Sequence, residues 1–384
     1  MTPTLRLALL VDPLTARLRG GGLHAAELAR ALSARGHAVR LFGAPGQVVR
    51  SETTVIDRRS ADRDEKTGWK NLLGYKPNAI VAYDALSPTA WLGARLARRL
   101  AAPLILVEPG YRAEGAWWGR LFTRIGETLW GAYVRRTASA LIALDPVARE
   151  QAVREGFNPA DIHVMPHGVD LDVFRSGLLS SVVVRHRVRG RVLLCVSPVD
   201  LRSGHDVLIG AFAHTVGQRG DWSLVIAAAG SSSRRLRAHA ERLGVGDRVH
   251  FLPAPTAEEL PGLLSCATLT ALPGLEDEAR GDQVSRIFSS GRPVLASDHP
   301  RLRYLIEPGD CGLLARPGDV GAWTEMLRRA AVSPEARRRW GQNARRTAEE
   351  RLSWSKLAQA FENHVISARL GEESAGAAQA SEAG

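Results

Sequence analysis

Residues 272–297 read LPGLEDEARGDQVSRIFSSGRPVLAS, and their order decides the fold. The apolar run 268–272 ends in a turn led by Pro273. An acidic triplet, Glu276, Asp277 and Glu278, leads on to Gly281 and to a helical pattern starting near Asp282-Gln283-Val284. After Gly291-Arg292, a second short apolar run spans 293–296. Short apolar runs separated by a helix read as neighbouring buried strands of a parallel sheet. Ligands of such sheets bind at the carboxyl ends of the strands, and Gly281 with the helix after it offers backbone N–H groups to a phosphate.

The same alternation runs outward in both directions. Residues 5–11, 38–42, 79–82, 103–107 and 138–143 read as strands, with helical patterns such as 23–35 and 89–100 between them. The pattern restarts at 191–196 and continues at 223–228, 249–252, 268–272 and 293–296. Two successive sets of five predict an α/β protein of two doubly wound domains, each sheet covered on both faces. We place the domains at 1–176 and 188–352, joined between Asp170 and Arg189 where the periodicity fades. A helix is expected over 353–370, and the small, polar residues 371–384 are expected to be a disordered tail.

Composition narrows the partners. A length of 384 residues suits two domains, each able to bury its own core. The net charge of +11 favours anionic partners: sugar nucleotides or an anionic membrane surface. No nucleic-acid motif accompanies the charge, so nucleic acid is not expected. Only four of the 51 basic residues are lysines, Lys66, Lys70, Lys76 and Lys356. Cys195, Cys266 and Cys311 have neither metal-ligand spacing nor a disulfide framework and read as free thiols of a reducing compartment. The N-terminal apolar run is too short for a signal peptide, and no run suits a membrane helix. The expected location is cytoplasmic, with a peripheral place at the inner face of the membrane left open. An aromatic and arginine-rich stripe, Trp117, Leu121, Ile125 and Leu129 with Trp118, Phe122, Trp130 and Tyr133 beside it, reads either as core packing or as a lipid-facing surface.

Further motifs complete the frame. Strand 5–11 leads to Gly20-Gly21-Gly22 and then a helix, where a phosphate can approach the helix N-terminus; a plain flexible turn is the other reading. His24 falls in the first turn of that helix, on the face of Leu28 and Ala31, either lining the site or packed in the core. Segment 142–174 holds Pro166-His167-Gly168-Val169-Asp170 and Phe174, and segment 196–204 reads VSPVDLRSG.

In order and spacing these motifs resemble the retaining glycosyltransferases called family 4, over about residues 5–365. The resemblance implies the GT-B architecture: two Rossmann-like domains facing across a cleft, the first on the acceptor side, the second on the nucleotide-sugar side. The final helix would then cross back to the first domain. It also implies transfer of a sugar, with retention, from a nucleotide-sugar donor to a sugar, lipid-linked or small-molecule acceptor, without metal or cofactor. Gly20, Gly21, Gly22, Ser197, Gly204, Gly281, Asp282 and Gln283 fall at donor-binding positions, and His24 and His167 toward the cleft. Glu278 takes the place of the glutamate that approaches the donor sugar. The family's second glutamate, eight residues on, is Arg286 here. Arginine cannot accept the ribose hydroxyls but can bind phosphate through two donors.

Other departures follow. The family's Arg and Lys, which neutralise the leaving diphosphate, fall on Pro198 and Ser203. Arg202 is the local substitute or a solvent-facing loop residue. The family's cleft histidine after strand 103–107 is replaced by the text Glu108-Pro109-Gly110. Glu108 can serve there as acid, base or hydrogen-bond acceptor, or pair with Arg112. Two functional readings therefore stay open: a divergent glycosyltransferase, or a non-catalytic relative acting as partner or scaffold of an active glycan-pathway enzyme.

Overall fold

The structure is a computed structural model and describes residues 4–11, 21–42, 74–110, 127–197, 202–227, 233–277 and 281–382. The chain divides into two compact units, Met1–Gly168 with Trp354–Gly384, and Val169–Ser353. The first contains β1 (Arg6–Leu10), α1 (Gly21–Ala34), β2 (Ala38–Phe42), β3 (Ala79–Tyr83), α2 (Pro88–Leu100), β4 (Leu104–Glu108), α3 (Ala132–Thr137), β5 (Ala138–Ala143), α4 (Pro146–Arg154) and β6 (Ile162–Val164). The second contains α5 (Ser181–Arg185), β7 (Arg191–Cys195), α6 (His205–Ala213), β8 (Trp222–Ala227), α7 (Ser233–Arg242), β9 (Val249–Leu252) and α8 (Glu259–Cys266). It continues through β10 (Leu269–Leu272), α9 (Gly281–Ser289), β11 (Val294–Ser297), α10 (Pro300–Ile306), β12 (Gly312–Ala315), α11 (Val320–Val332) and α12 (Pro334–Thr347). The last helix, α13 (Trp354–Glu382), returns to the first unit.

Each unit is built on one parallel sheet, ordered β2-β1-β3-β4-β5-β6 in the first and β12-β11-β10-β7-β8-β9 in the second. Strand order reverses between β1 and β3, and again between β7 and β10, so each unit has a topological switch point. Because side chains alternate across a strand, each sheet feeds two cores. In the first unit Leu7, Leu9, Val81, Tyr83 and Val107 pack with Leu28 and Leu32 of α1 and Phe361 of α13. Ala8, Leu10, Ile80, Leu104 and Leu106 face Ala90, Ala94 and Leu96 of α2 on the other side. The second unit repeats this arrangement, with Leu193, Leu224 and Leu269 on one face and Leu194, Val225 and Leu272 on the other. Burial on both faces is why these strands read as continuous apolar runs in the sequence.

Three expectations need correction. Each sheet has six strands rather than five. The extra ones, β6 and β12, are short edge strands covered on fewer sides, and only Ile162 and Ala315 in them are buried. Their sequences therefore carry no continuous apolar signal. Segment 170–189 is not a join but lies within the second unit. Ser180 caps α5 by accepting from Val183 N, and Val182 is buried in the core beside Leu263. Finally, α13 runs to Glu382, through residues expected to be disordered. Its last turns are rich in alanine and glutamate, both strong helix formers. The helix is held to the first unit by Phe361 and Val365 in the core and by Glu362, which pairs with Arg35 at 2.7 Å.

Candidate functional site

In the second unit, the loops after β7 and β10 meet at the switch point. Gly204 opens α6 with φ of +63°, and a Cβ there would stand 1.9 Å from the carbonyl oxygen of Pro273. Only glycine permits that approach. Leu275 N donates to Arg202 O at 2.8 Å, stitching the same two loops. Arg202 reaches Glu276 at 3.0 Å, with both side chains about half exposed. Ser197, just beyond β7, contacts His205 Nε2 at 3.1 Å through its hydroxyl. From the far side, His299 Nε2 lies 3.0 Å from Gly274 O, and Arg301 lies 3.6 Å from Asp277. The 273–277 loop is thus held by its neighbours on both flanks.

Helix α9 starts just after this loop, with Gly281 as its first residue and Asp282 in its first turn. Arg286 is the next turn's cation, 3.4 Å from Asp282 and with its guanidinium 5.7 Å from the centre of the Phe174 ring. Arg286 and Gln283 supply the long polar side chains of a cavity of about 70 Å³ otherwise lined by apolar groups such as Leu194, Val196 and Leu272. Gln283 Oε1 is buried there without a hydrogen-bond partner among the described residues. An unpaired buried acceptor costs free energy, which a donor group entering the cavity would recover. Glu278 and Pro198 lie outside the described residues, as does Gly20.

The first unit brings together a different set. Gly21 and Gly22 form the first turn of α1 rather than a loop before it, and Gly21 faces Tyr83, the last residue of β3, and Pro109, just beyond β4. His24 is 2% exposed and His167 6%. His24 Nδ1 is 2.9 Å from the Tyr83 hydroxyl, and its ring meets His167 and Trp354 edge-on at 5.0 and 5.2 Å. Trp354 Nε1 donates in turn to Glu27 at 3.0 Å. Burial, reinforced by His167, holds His24 well below the ordinary histidine range, so the ring is neutral near pH 7. For His24 the packed-core alternative is the one that this geometry favours, and His167 packs against it.

Glu108 ends β4 and is 8% exposed. Its carboxylate accepts from Ala85 N at 3.2 Å and Gly110 N at 3.1 Å, tying together the loops after β3 and β4. Burial, then Asp84 and Glu155, push its pKa from 4.5 up to about 7, against the two backbone donors. A carboxyl group poised near neutrality at a strand's carboxyl end has the properties of an acid–base group. The stripe at 117–125 lies outside the described residues; of its continuation Trp130 turns inward, its Nε1 donating to Leu86 O at 3.1 Å. Leu129 is exposed.

Sequence reasoning missed Glu276 as the partner of Arg202, and it missed His205, His299 and Arg301. The His299-Pro300 pair, one residue beyond β11, was the available signal, since it too falls near a strand's carboxyl end. Among the described residues, no group of three or more His, Cys, Asp or Glu is placed to hold a metal. No described helix is long and apolar enough to cross a membrane.

Two Rossmann-like units with parallel sheets and ligand-type loops at the switch points define a protein of the GT-B class. Residues 18–173 match the description "Glycosyltransferase Family 4", and residues 181–347 match "Glycosyl transferases group 1". Together they span most of the chain, which belongs to the glycosyltransferases of this family 4 type. It is similar to the MMP alpha-(1->4)-mannosyltransferase of Mycolicibacterium hassiacum, 29% identical over 252 residues, covering 64% of this chain and 59% of that one. It is also similar to the D-inositol 3-phosphate glycosyltransferase of Xylanimonas cellulosilytica, 29% identical over 249 residues, 62% of this chain and 58% of that one. The chain thus spans less than two thirds of the length of these curated relatives. In fold it is similar to Anabaena HepE solved in complex with UDP: TM-score 0.74, 18% identity, covering 94% of this chain and 99% of that one.

Proposed function

We propose that the chain is a metal-independent glycosyltransferase that moves a sugar from a nucleotide-sugar donor, with retention, to a sugar, lipid-linked or small-molecule acceptor. The observation that carries this reading is the paired loop at the β7–β10 switch point, where Gly204 lies against Pro273 and α9 begins. That is where a double Rossmann-like protein binds a nucleotide. In this reading Arg202 and Arg286 supply positive charge to the diphosphate, the start of α9 adds backbone donors, and Glu278 contacts the sugar. Ser197 and Gly204 line the donor's phosphate end, and Glu108 serves the acceptor side. The UDP held by HepE makes a uridine diphosphate donor the first to try.

Calorimetric titration with UDP, GDP, ADP and their sugar conjugates tests the reading. Binding of one nucleotide, tighter with its sugar attached, is the expected result. A folded protein that binds none of them would refute it. One observation favours the alternative, a non-catalytic partner of an active glycan-pathway enzyme: the positions of the family's diphosphate-neutralising Arg and Lys are Pro198 and Ser203 here. Silence across the panel is the outcome that reading expects.

A further inference from the structure

The second unit carries a groove at the opposite ends of its strands. It is about 600 Å³ and is bordered by Thr268 and Pro293, the residues just before β10 and β11. Five arginines line it, Arg292, Arg337, Arg338, Arg345 and Arg346, against a single carboxylate, Glu349. Helix α12 supplies four of them as two adjacent pairs eight residues apart, roughly 12 Å along the axis at 1.5 Å per residue. Between the pairs lies Gly341, where a Cβ would stand 2.6 Å from Gly291 O. That close approach brings the turn before β11, and Arg292 with it, against the middle of the helix.

These arginines divide by what they already hold. Arg345 donates to Leu171 O, Phe174 O and Ser289 O and pairs with Glu349 at 2.6 Å. Arg337 donates to Ala330 O and Ala331 O at the end of α11. Both are committed to the walls. Among the described residues Arg338 has only an exposed pair with Glu335 at 3.2 Å, and Arg346 donates to the Asn343 side chain at 2.9 Å. Exposed pairs of this kind are worth little and exchange readily. Arg292 has no carboxylate partner among the described residues, and its Nε is buried without a hydrogen bond. Burial lowers the pKa of Arg292, and burial followed by Arg191 lowers that of Arg337. For Arg292 this marks charge that the groove leaves uncompensated, whereas Arg337 is held by its two carbonyls.

We propose that this groove binds a phosphate-bearing ligand, as an anion site separate from the donor loops at the other ends of the strands. Guanidinium forks match phosphate oxygens through paired hydrogen bonds. The spacing of the two arginine pairs, with Arg292 between them, suits two or more phosphates rather than one. Two sources present that chemistry, a soluble oligophosphate and the headgroups of an anionic lipid surface. The proposal does not depend on the donor reading.

The test uses the full chain and a triple variant, Arg292→Gln, Arg338→Gln and Arg346→Gln, which spares the two arginines that hold the walls. Inorganic pyrophosphate is titrated calorimetrically, and vesicles of phosphatidylcholine with and without phosphatidylglycerol are tested by co-sedimentation. The unmodified chain should bind pyrophosphate, pointing to a soluble ligand, or phosphatidylglycerol vesicles, pointing to headgroups. The triple variant should lose that binding by a factor on the order of 100, at roughly fivefold per guanidinium near a charged surface. In Arg286→Ala vesicle binding should be unchanged, and the pyrophosphate binding that remains should be the part that the triple variant loses. Binding of neither probe overturns the proposal, as does equal binding by a folded triple variant. So does pyrophosphate binding that Arg286→Ala abolishes and the triple variant keeps. If the triple variant does not fold, Arg292→Gln alone provides the comparison, with about a fivefold loss expected.

Discussion

Replacing Glu108 by glutamine should change how stability depends on pH, and the size of the change follows from the site. Glu108 titrates near 7 in the folded chain and at 4.5 when exposed. Between those values the folded state keeps a proton that the unfolded state has lost. Stability must therefore fall as pH rises from 4.5 to about 7, and then level off. At about 1.4 kcal/mol per pKa unit, the whole decline is worth about 3 kcal/mol. Glutamine does not titrate, so in Glu108→Gln this decline disappears. The amide can offer an oxygen to only one of the two donors, Ala85 N and Gly110 N, which costs about 1 kcal/mol at every pH.

His24 contributes a slope of the opposite sign. Its depressed pKa gives stability that is present above the unfolded histidine value of 6.5 and lost as pH falls below it. That contribution is common to both proteins and cancels in their difference. Urea unfolding at pH 5, 6, 7 and 8, followed by tryptophan fluorescence, measures the difference. The variant should gain on the unmodified chain by about 2.5 kcal/mol between pH 5 and pH 8. A difference that stays constant with pH would mean that Glu108 titrates normally, and the argument from burial and from Asp84 and Glu155 would be wrong.

Other consequences are equally direct. Gly204→Ala forces a Cβ onto Pro273 O at a positive φ and should cost about 2–4 kcal/mol. It should also weaken nucleotide binding, and an unchanged melting temperature would disprove the close approach. Gly168→Ala places a Cβ 2.3 Å from the Trp354 ring, so the indole must shift and strain its bond to Glu27. Thermal unfolding should show a loss of about 1–3 kcal/mol, and none would mean that the ring is free to move. If Arg286 binds the diphosphate, Arg286→Ala should weaken nucleotide affinity about tenfold or more while the protein stays folded; unchanged affinity removes that assignment. Ser87→Ala removes the hydroxyl that accepts from Ala90 N at the start of α2, and denaturant unfolding should register about 1 kcal/mol.

The sequence by itself determined the architecture of each unit. Buried parallel strands must be apolar on both faces, so ten of the twelve strands stood out as short apolar runs, and the helices between them as periodic ones. It also located the loops after β7 and β10, because their glycines and charges interrupt those runs at strand ends. Tertiary structure decided what depends on residues far apart in the chain. Edge strands β6 and β12 are defined by the neighbours they pair with, β5 and β11, and not by their own composition. Arg202 meets Glu276 across 74 positions, so its charge cannot be judged from its own loop. His24 became a core residue only when Tyr83, His167 and Trp354 closed around it. Glu108 was legible as a strand-end carboxylate, but its displaced pKa arises from burial and from Asp84 and Glu155, which other strands and helices deliver. The arginine groove was hidden for the same reason: a cluster of like charge becomes a site only when the fold sets Arg292 against α12. Local pattern fixes what each segment is, because backbone hydrogen bonding and burial repeat along the chain. Charge, protonation and ligand geometry depend on three-dimensional neighbours, which repeat nowhere in the sequence.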